Sequence, residues 1–143
     1  MSKFAQGVFR PINTDKYVGK GLPRYRSGWE LAFMQFCDNN KHILQWASES
    51  ISIPYRHPFT GRMTNYIPDF LVVYADKNGR QRAELVEIKP KKQSIIESKA
   101  SNRDRAVVAV NYCKWDAATK WCRRQGLTFR VITEDQLFRN GKK

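Results

Sequence analysis

The chain has 143 residues, 41% of them hydrophobic and 27% charged, which suits one globular, soluble domain with a sizeable core. Lys and Arg number 26 against 13 acids, a net charge of +13 and a pI near 10.0, so polyanions are the natural partners, nucleic acid ahead of an anionic membrane surface. No apolar run approaches the roughly 18 residues of a membrane span, no secretory signal opens the chain, and three cysteines without a CxxC argue for a reducing compartment over a disulfide scaffold.

Residues 1–26 are basic and irregular, with glycines and two prolines, and read as an arm or an extended lead-in. "SGWELAFMQFCDNN" predicts a first helix. Ser27 is its N-cap, and Asn39 or Asn40 ends it. Trp29, Ala32, Phe33, Phe36 and Cys37 fall on one stripe facing the core. "HILQWASESISIPY" is strand-like, with Ile51, Ile53 and Tyr55 alternating against polar neighbours, and "RHPFTGRMTN" is a loop or a hairpin tip. "YIPDFLVVY" is a strand opened by Pro68, since proline cannot donate to a ladder and fits a strand's first residues. Asn78-Gly79 marks a hairpin, and "AELVEIKP" is the returning strand. "KKQSIIESKASNRDR" is charged and predicts a loop. A second long helix covers "AVVAVNYCKWDAATKWCRRQG", with Val110, Ala117 and Trp121 near one face and Gly126 past its end. "LTFRVIT" is a final strand, "EDQLFRN" a short last helix and residues 140–143 a tail. The expected domain is thus 27–139, in the order α-β-β-β-α-β, an α/β fold with a mixed central sheet between helices.

Asp69, Glu87 and Lys89 are out of place in strands, which favour β-branched and aromatic residues. Side chains two apart share a face, so Glu87 and Lys89 point one way and Val86 and Ile88 point into the core. Asp69 lies about as far before the turn as Glu87 lies after it, which sets the two carboxylates across from one another. Like charges in that position destabilise a sheet, unless solvent screens them or a cation sits between them. A hard cation such as Mg²⁺, which takes one or two carboxylates plus waters and phosphate oxygens, suits the pair. Basic residues would hold nucleic acid by its phosphates, and Lys89 would orient a water or place charge on a developing pentavalent phosphate.

Simpler roles compete with these. Ser27 and Glu30 make an S-x-x-E capping box, and Asp69 after proline could cap a strand entry. Glu87 and Lys89 could sit on a solvated face. Arg24, Arg26, Lys91 and Lys92 flank the acidic positions and are candidate phosphate contacts or plain solubilising charge. Lys114, and Asn111 with it, could aim at the site from the second helix or face water. Trp115 and Trp121 read as core rather than as stacking platforms. Cys113 and Cys122 would point to opposite sides of a helix, and His42 and His57 are the only histidines, so a Cys/His zinc site is not expected.

Pro68-Asp69 and Glu87-Ile88-Lys89 resemble the PD-(D/E)xK signature of the restriction-endonuclease-like nucleases, and Glu30 matches the acid that superfamily commonly adds on its first helix. Within it, "YRSGWE", "IPDFLV", "EIKP" and "NYCKWDAATKWCRRQGLTFRVITE" are similar to the head-completion nucleases of tailed phages, and also to the endonuclease subunit of certain cut-and-paste transposons. The resemblance spans roughly residues 24–138. It implies DNA cleavage dependent on Mg²⁺, with Mn²⁺ substituting, and Glu30, Asp69, Glu87 and the Ile88 carbonyl on the metal. It also implies Lys89 in catalysis, work on packaged or terminal DNA, phage capsid or portal proteins as partners, and a place in the host cytoplasm or the virion. A homo-oligomer would be needed for concerted double-strand cutting. A branched-DNA resolvase, a transposition cleavage subunit and a non-catalytic basic virion protein remain as alternatives, whereas membrane-surface binding is not expected, since no helix pairs a clean apolar face with a basic one.

Overall fold

The computed structural model describes residues 6–94 and 101–136. In chain order it contains β1 (Gly7–Val8), β2 (Arg24–Tyr25), α1 (Gly28–Asn39), β3 (Ile43–Ser48), β4 (Ile53–Arg56), β5 (Met63–Tyr66), β6 (Phe70–Ala75), β7 (Gln81–Ile88), α2 (Asn102–Gln125) and β8 (Thr128–Ile132). β3, β6, β7 and β8 form the central sheet in that order. The first three are antiparallel and β8 runs parallel to β7. Helices pack on both faces, a mixed α/β architecture of the restriction-endonuclease-like kind. β4 and β5 leave this sheet and pair with each other as a separate ribbon, so the predicted strand around "SISIPY" belongs to a different ladder from "HILQWAS". Residues 95–100, within the predicted charged loop, and 137–143, the end of the last helix and the tail, lie outside the described residues.

Ser27 caps α1, its hydroxyl accepting from Glu30 N at 3.1 Å. Phe33, Met34 and Cys37 are fully packed against the sheet, while Phe36 lies at the margin of the stripe and is exposed. α2 begins four residues earlier than its apolar pattern suggests, at Asn102 rather than Ala106. Ser101 caps it, accepting from Asp104 N at 3.1 Å, so "SNRDR" is a solvated first turn and not a loop. Its buried stripe is Val108, Asn111, Ala118 and Cys122. At its end Gly126 is left-handed (φ 75°), and the amides of Gly126 and Leu127 return to the carbonyls of Arg123 and Cys122, a Schellman motif.

Residues 6–26, expected as a lead-in ahead of the domain, pack onto it. The chain pairs β1 with β2 and runs past the far end of α1, where both carboxylate oxygens of the buried Asp38 accept the amides of Ile12 and Asn13 at 2.9 and 3.0 Å. Lys16 Nζ donates to the carbonyls of Asp38 and Asn40, the last turn of α1, where a cation meets the negative end of the helix. Phe9 and Tyr17 then lie against Trp46 of β3.

β7 organises the molecule because both its faces are covered. Val86 and Ile88 join the α1-side core with Phe70, Val72 and Ile132, and Leu85 joins the α2-side core with Ile53, Tyr55, Tyr66, Ala118 and Cys122. The alternation that buries Val86 and Ile88 on one side obliges Glu87 to enter the α2 side.

Candidate active site

The β6–β7 ladder ends at Phe70↔Val86, so the next position out sets Asp69 opposite Glu87, as the symmetry about Asn78-Gly79 predicts. The turn itself is wider than an Asn-Gly pair. It runs from Asp76 to Arg80, with Gly79 at φ 78° and Asp76 Oδ1 accepting the amides of Asn78 and Arg80.

Glu87 is 4% exposed, which rules out a solvated face. Its Oε1 accepts from the Tyr66 hydroxyl at 2.8 Å and from Asp69 N at 3.3 Å, and its Oε2 lies 3.3 Å from Lys89 Nζ. Asp69 Oδ2 accepts from Ile88 N at 2.7 Å, while Oδ1 accepts no hydrogen bond from the described residues. Burial, and after it the charge of Glu87, pushes the Asp69 carboxyl well above the ordinary Asp value. Burial and the same carboxylate hold the Tyr66 phenol protonated, so it remains a donor. The indole N–H of Trp115, buried beside Tyr66, finds no partner of hydrogen-bond geometry among the described residues.

Glu30 approaches from the start of α1. Its Oε1 accepts from Arg26 N at 3.2 Å, one residue further back than a capping box would use, and its charge is felt by Asp69. Burial pushes its carboxyl up, against the Arg26 contacts that lower it. Glu30 does not close a three-acid cluster: among the described residues no three His, Cys, Asp or Glu side chains are grouped to hold a metal ion.

Lys114 reaches in from α2. Its Nζ lies 6.0 Å from the centre of the Tyr55 ring and 5.7 Å from that of Tyr66, and burial followed by Lys89 lowers its pKa. It therefore lies half-buried over the ring that donates to Glu87, within reach of that carboxylate's charge, and does not stand on a solvated face. Asn111 is buried, donating to Gln93 O at 3.0 Å, and so ties the exit of β7 to α2. Trp115 and Trp121 are partly buried against the α2-side core. The four flanking cations divide. Arg24 and Lys92 are exposed, whereas Arg26 makes a two-pronged ion pair with Glu49 at 2.7 and 3.1 Å, and Lys91 sits 3.5 Å from Asp135.

Two participants escape sequence reasoning. Tyr66 carries no signal beyond lying three residues before Asp69. Glu49 stands at φ 51°, the one non-glycine with positive φ among the described residues, and its N–H donates to Asp69 O at 2.9 Å. On the opposite face of the sheet a cleft of about 290 Å³ is lined by Phe36, Tyr74, Glu84 and Arg130 among others, and it contains none of the acids described above.

The arrangement is a pair of opposed carboxylates, Glu87 buried and Asp69 half-buried, with one unclaimed oxygen, bordered by two lysines, in a strongly basic protein. Residues 40–134 match the family model of the TnsA-like endonuclease N-terminal domain. The chain is also 33% identical to the head completion nuclease of Enterobacteria phage T4 over 144 aligned residues, which cover 92% of each protein. With most of its length matched in both comparisons, the chain belongs to the TnsA-like endonuclease family.

Proposed function

We propose that the chain is a metal-dependent DNA endonuclease that hydrolyses phosphodiester bonds at Asp69, Glu87 and Lys89. The observation that carries this reading is the burial of Glu87 opposite Asp69, because solvent screens Glu87 poorly, Lys89 offsets only part of the repulsion, and a bound cation would relieve the rest. The donor set fits Mg²⁺, two hard carboxylates with Asp69 Oδ1 accepting nothing from the described residues; the Ile88 carbonyl would be a third donor, and waters and a substrate phosphate would complete the shell. When bound, Mg²⁺ supplies positive charge and Lewis acidity at the phosphorus centre, and Mn²⁺ would do the same.

The chain's own groups do the rest. Ile88 N–H and Tyr66 OH fix the two carboxylates in place. Lys89, held by Glu87, orients the attacking water and neutralises charge as the phosphorane forms, and Lys114 adds a second positive charge from α2. Glu30 serves as an outer acid beside Asp69. Arg24 and Lys92, exposed on either side, take flanking phosphates. The head completion nuclease relative suggests a phage-head setting; the further reading is that the chain works on packaged or terminal DNA, in the host cytoplasm or the virion, with capsid proteins and a second copy of this chain as partners.

Supercoiled plasmid incubated with Mg²⁺, Mn²⁺ or EDTA tests this. Wild type should nick in either metal and stop in EDTA. Asp69→Ala, Glu87→Ala and Lys89→Ala should each lose cleavage while keeping salt-sensitive binding. Nicking that survives in all three variants would remove the nuclease from this site and leave a non-catalytic DNA-binding protein.

A further inference from the structure

The β4–β5 ribbon carries an arrangement that phosphodiester chemistry does not use. Tyr55, His57 and Phe59 occur at every second position, and their rings meet in series, with centroids 6.5 Å apart for Tyr55 and His57 and 5.9 Å for His57 and Phe59. The series runs from the core outward: Tyr55 is buried, and Phe59 is 63% exposed. The tip is ordered by its own hydrogen bonds. Phe59 N and Thr60 N donate to His57 Nδ1 at 3.2 and 3.4 Å, Gly61 N donates to His57 O, and the Arg56 guanidinium donates to Gly61 O at 2.7 Å. A loop ordered in this way holds an aromatic ring out in water at a fixed place beside the arginines of the tip.

The inner end of the ribbon belongs to the active site. Tyr66 of β5 donates to Glu87, and Tyr55 of β4 lies with it beneath Lys114. The outer end is cationic: residues 50–68 include Arg56 and Arg62 and no Asp or Glu, and the Arg62 guanidinium has no partner among the described residues. The ring spacings of 6.5 and 5.9 Å set Phe59 within about 12 Å of Tyr55. At about 3.4 Å per nucleotide along one strand, that is a few steps of DNA.

We propose that the ribbon tip reads DNA structure, Phe59 stacking on a base a few nucleotides from the phosphate held at the carboxylates and Arg62 taking a phosphate of the same strand. A phenyl face offers nothing to a phosphate and a π-surface to any base, so the contact is indifferent to sequence. It does require a base whose face is free. The preferred substrate is therefore DNA with an unpaired or frayed base near the cut, and continuous internal duplex is the poorer one. This rests on the nuclease reading and adds the substrate class to it.

The test compares two DNAs of one sequence, a duplex with a four-nucleotide unpaired end and a dumbbell closed by loops far from the cut. Wild type should favour the unpaired end in kcat/KM, and moving the unpaired base along the strand should move the cut with it. Phe59→Ala, at an exposed position that leaves the core untouched, should lose about tenfold of that preference through KM with kcat held, and Phe59→Trp should restore it. Cutting by Phe59→Ala with the wild-type preference and cut positions would overturn the stacking role and leave the nuclease standing. Wild type that neither binds nor cuts either DNA would remove the nuclease reading, and this proposal with it.

Discussion

Replacing Asp69 by Asn should abolish cleavage and yet stabilise the metal-free chain. The register sets Asp69 opposite Glu87, and Cβ atoms so paired lie about 5 Å apart. Two like charges at about 5 Å repel by roughly 3 kcal/mol at an effective dielectric constant near 20. The Lys89 ion pair already offsets part of this, and Asn gives a weaker hydrogen bond to Ile88 N–H than a carboxylate does, so the net gain is about 1–2 kcal/mol. For a chain of this size that is a rise of about 3–6 °C in Tm. The pH dependence has a definite sign. Burial and Glu87 raise Asp69 in the folded state, so the folded chain holds that proton more tightly than the unfolded one. Wild-type stability therefore falls as pH climbs from the ordinary Asp value through the raised one. The advantage of the Asn variant opens over that range and closes at lower pH, where Asp69 is neutral in wild type as well. Thermal melting by circular dichroism in EDTA across acid and neutral pH measures the gap, and added Mg²⁺ should raise wild type while leaving the variant unmoved. A variant that melts below wild type at neutral pH in EDTA, or that nicks plasmid at the wild-type rate, would refute the reasoning.

Lys114→Met should slow single-turnover cleavage roughly a hundredfold, with Tm held or raised, because burial already disfavours the charged amine in the folded chain. A cleavage rate within twofold of wild type would return Lys114 to a structural role. At Glu49 the left-handed backbone sets two variants apart: Glu49→Gly should be more stable than Glu49→Ala by about 1 kcal/mol, read from urea midpoints, since both lose the Arg26 ion pair and Gly alone adopts φ 51° freely. DNA affinity of the Asp69→Asn chain should fall with salt, and Lys92→Ala should reduce the slope of log K against log salt by about one, measured by fluorescence anisotropy.

The acidic pair was legible because its placement is a local matter. Asn-Gly fixes a turn, the strand period of two fixes the faces, and counting outward sets Asp69 against Glu87 without any knowledge of the rest of the chain. Both helices were legible for the same reason, although the start of α2 was misplaced: apolar periodicity marks where a helix is buried, and the first turn, "SNRDR", is not. What could not be read depends on contacts between distant segments. Nothing local says that "SISIPY" pairs with "MTNY" and not with the main sheet, and that pairing brings Tyr55 and Tyr66 beneath Lys114. The aim of Lys114 required the packing angle of α2. Arg26 looked like a free cation until the fold brought Glu49 to it.

The anchorage of the first 26 residues has a consequence for how the molecule comes apart. Their described part leaves the β1–β2 pairing, is pinned at Asp38 and again along Trp46 of β3, and returns to β2 just ahead of Glu30, so it is a strap fastened at two buried points. Freed from Asp38, the amides of Ile12 and Asn13 should exchange hydrogen for deuterium early and together, while those of β6 and β7 wait for global unfolding. The acid on the helix would then loosen before the pair on the sheet, giving the two parts of the proposed site separate lifetimes.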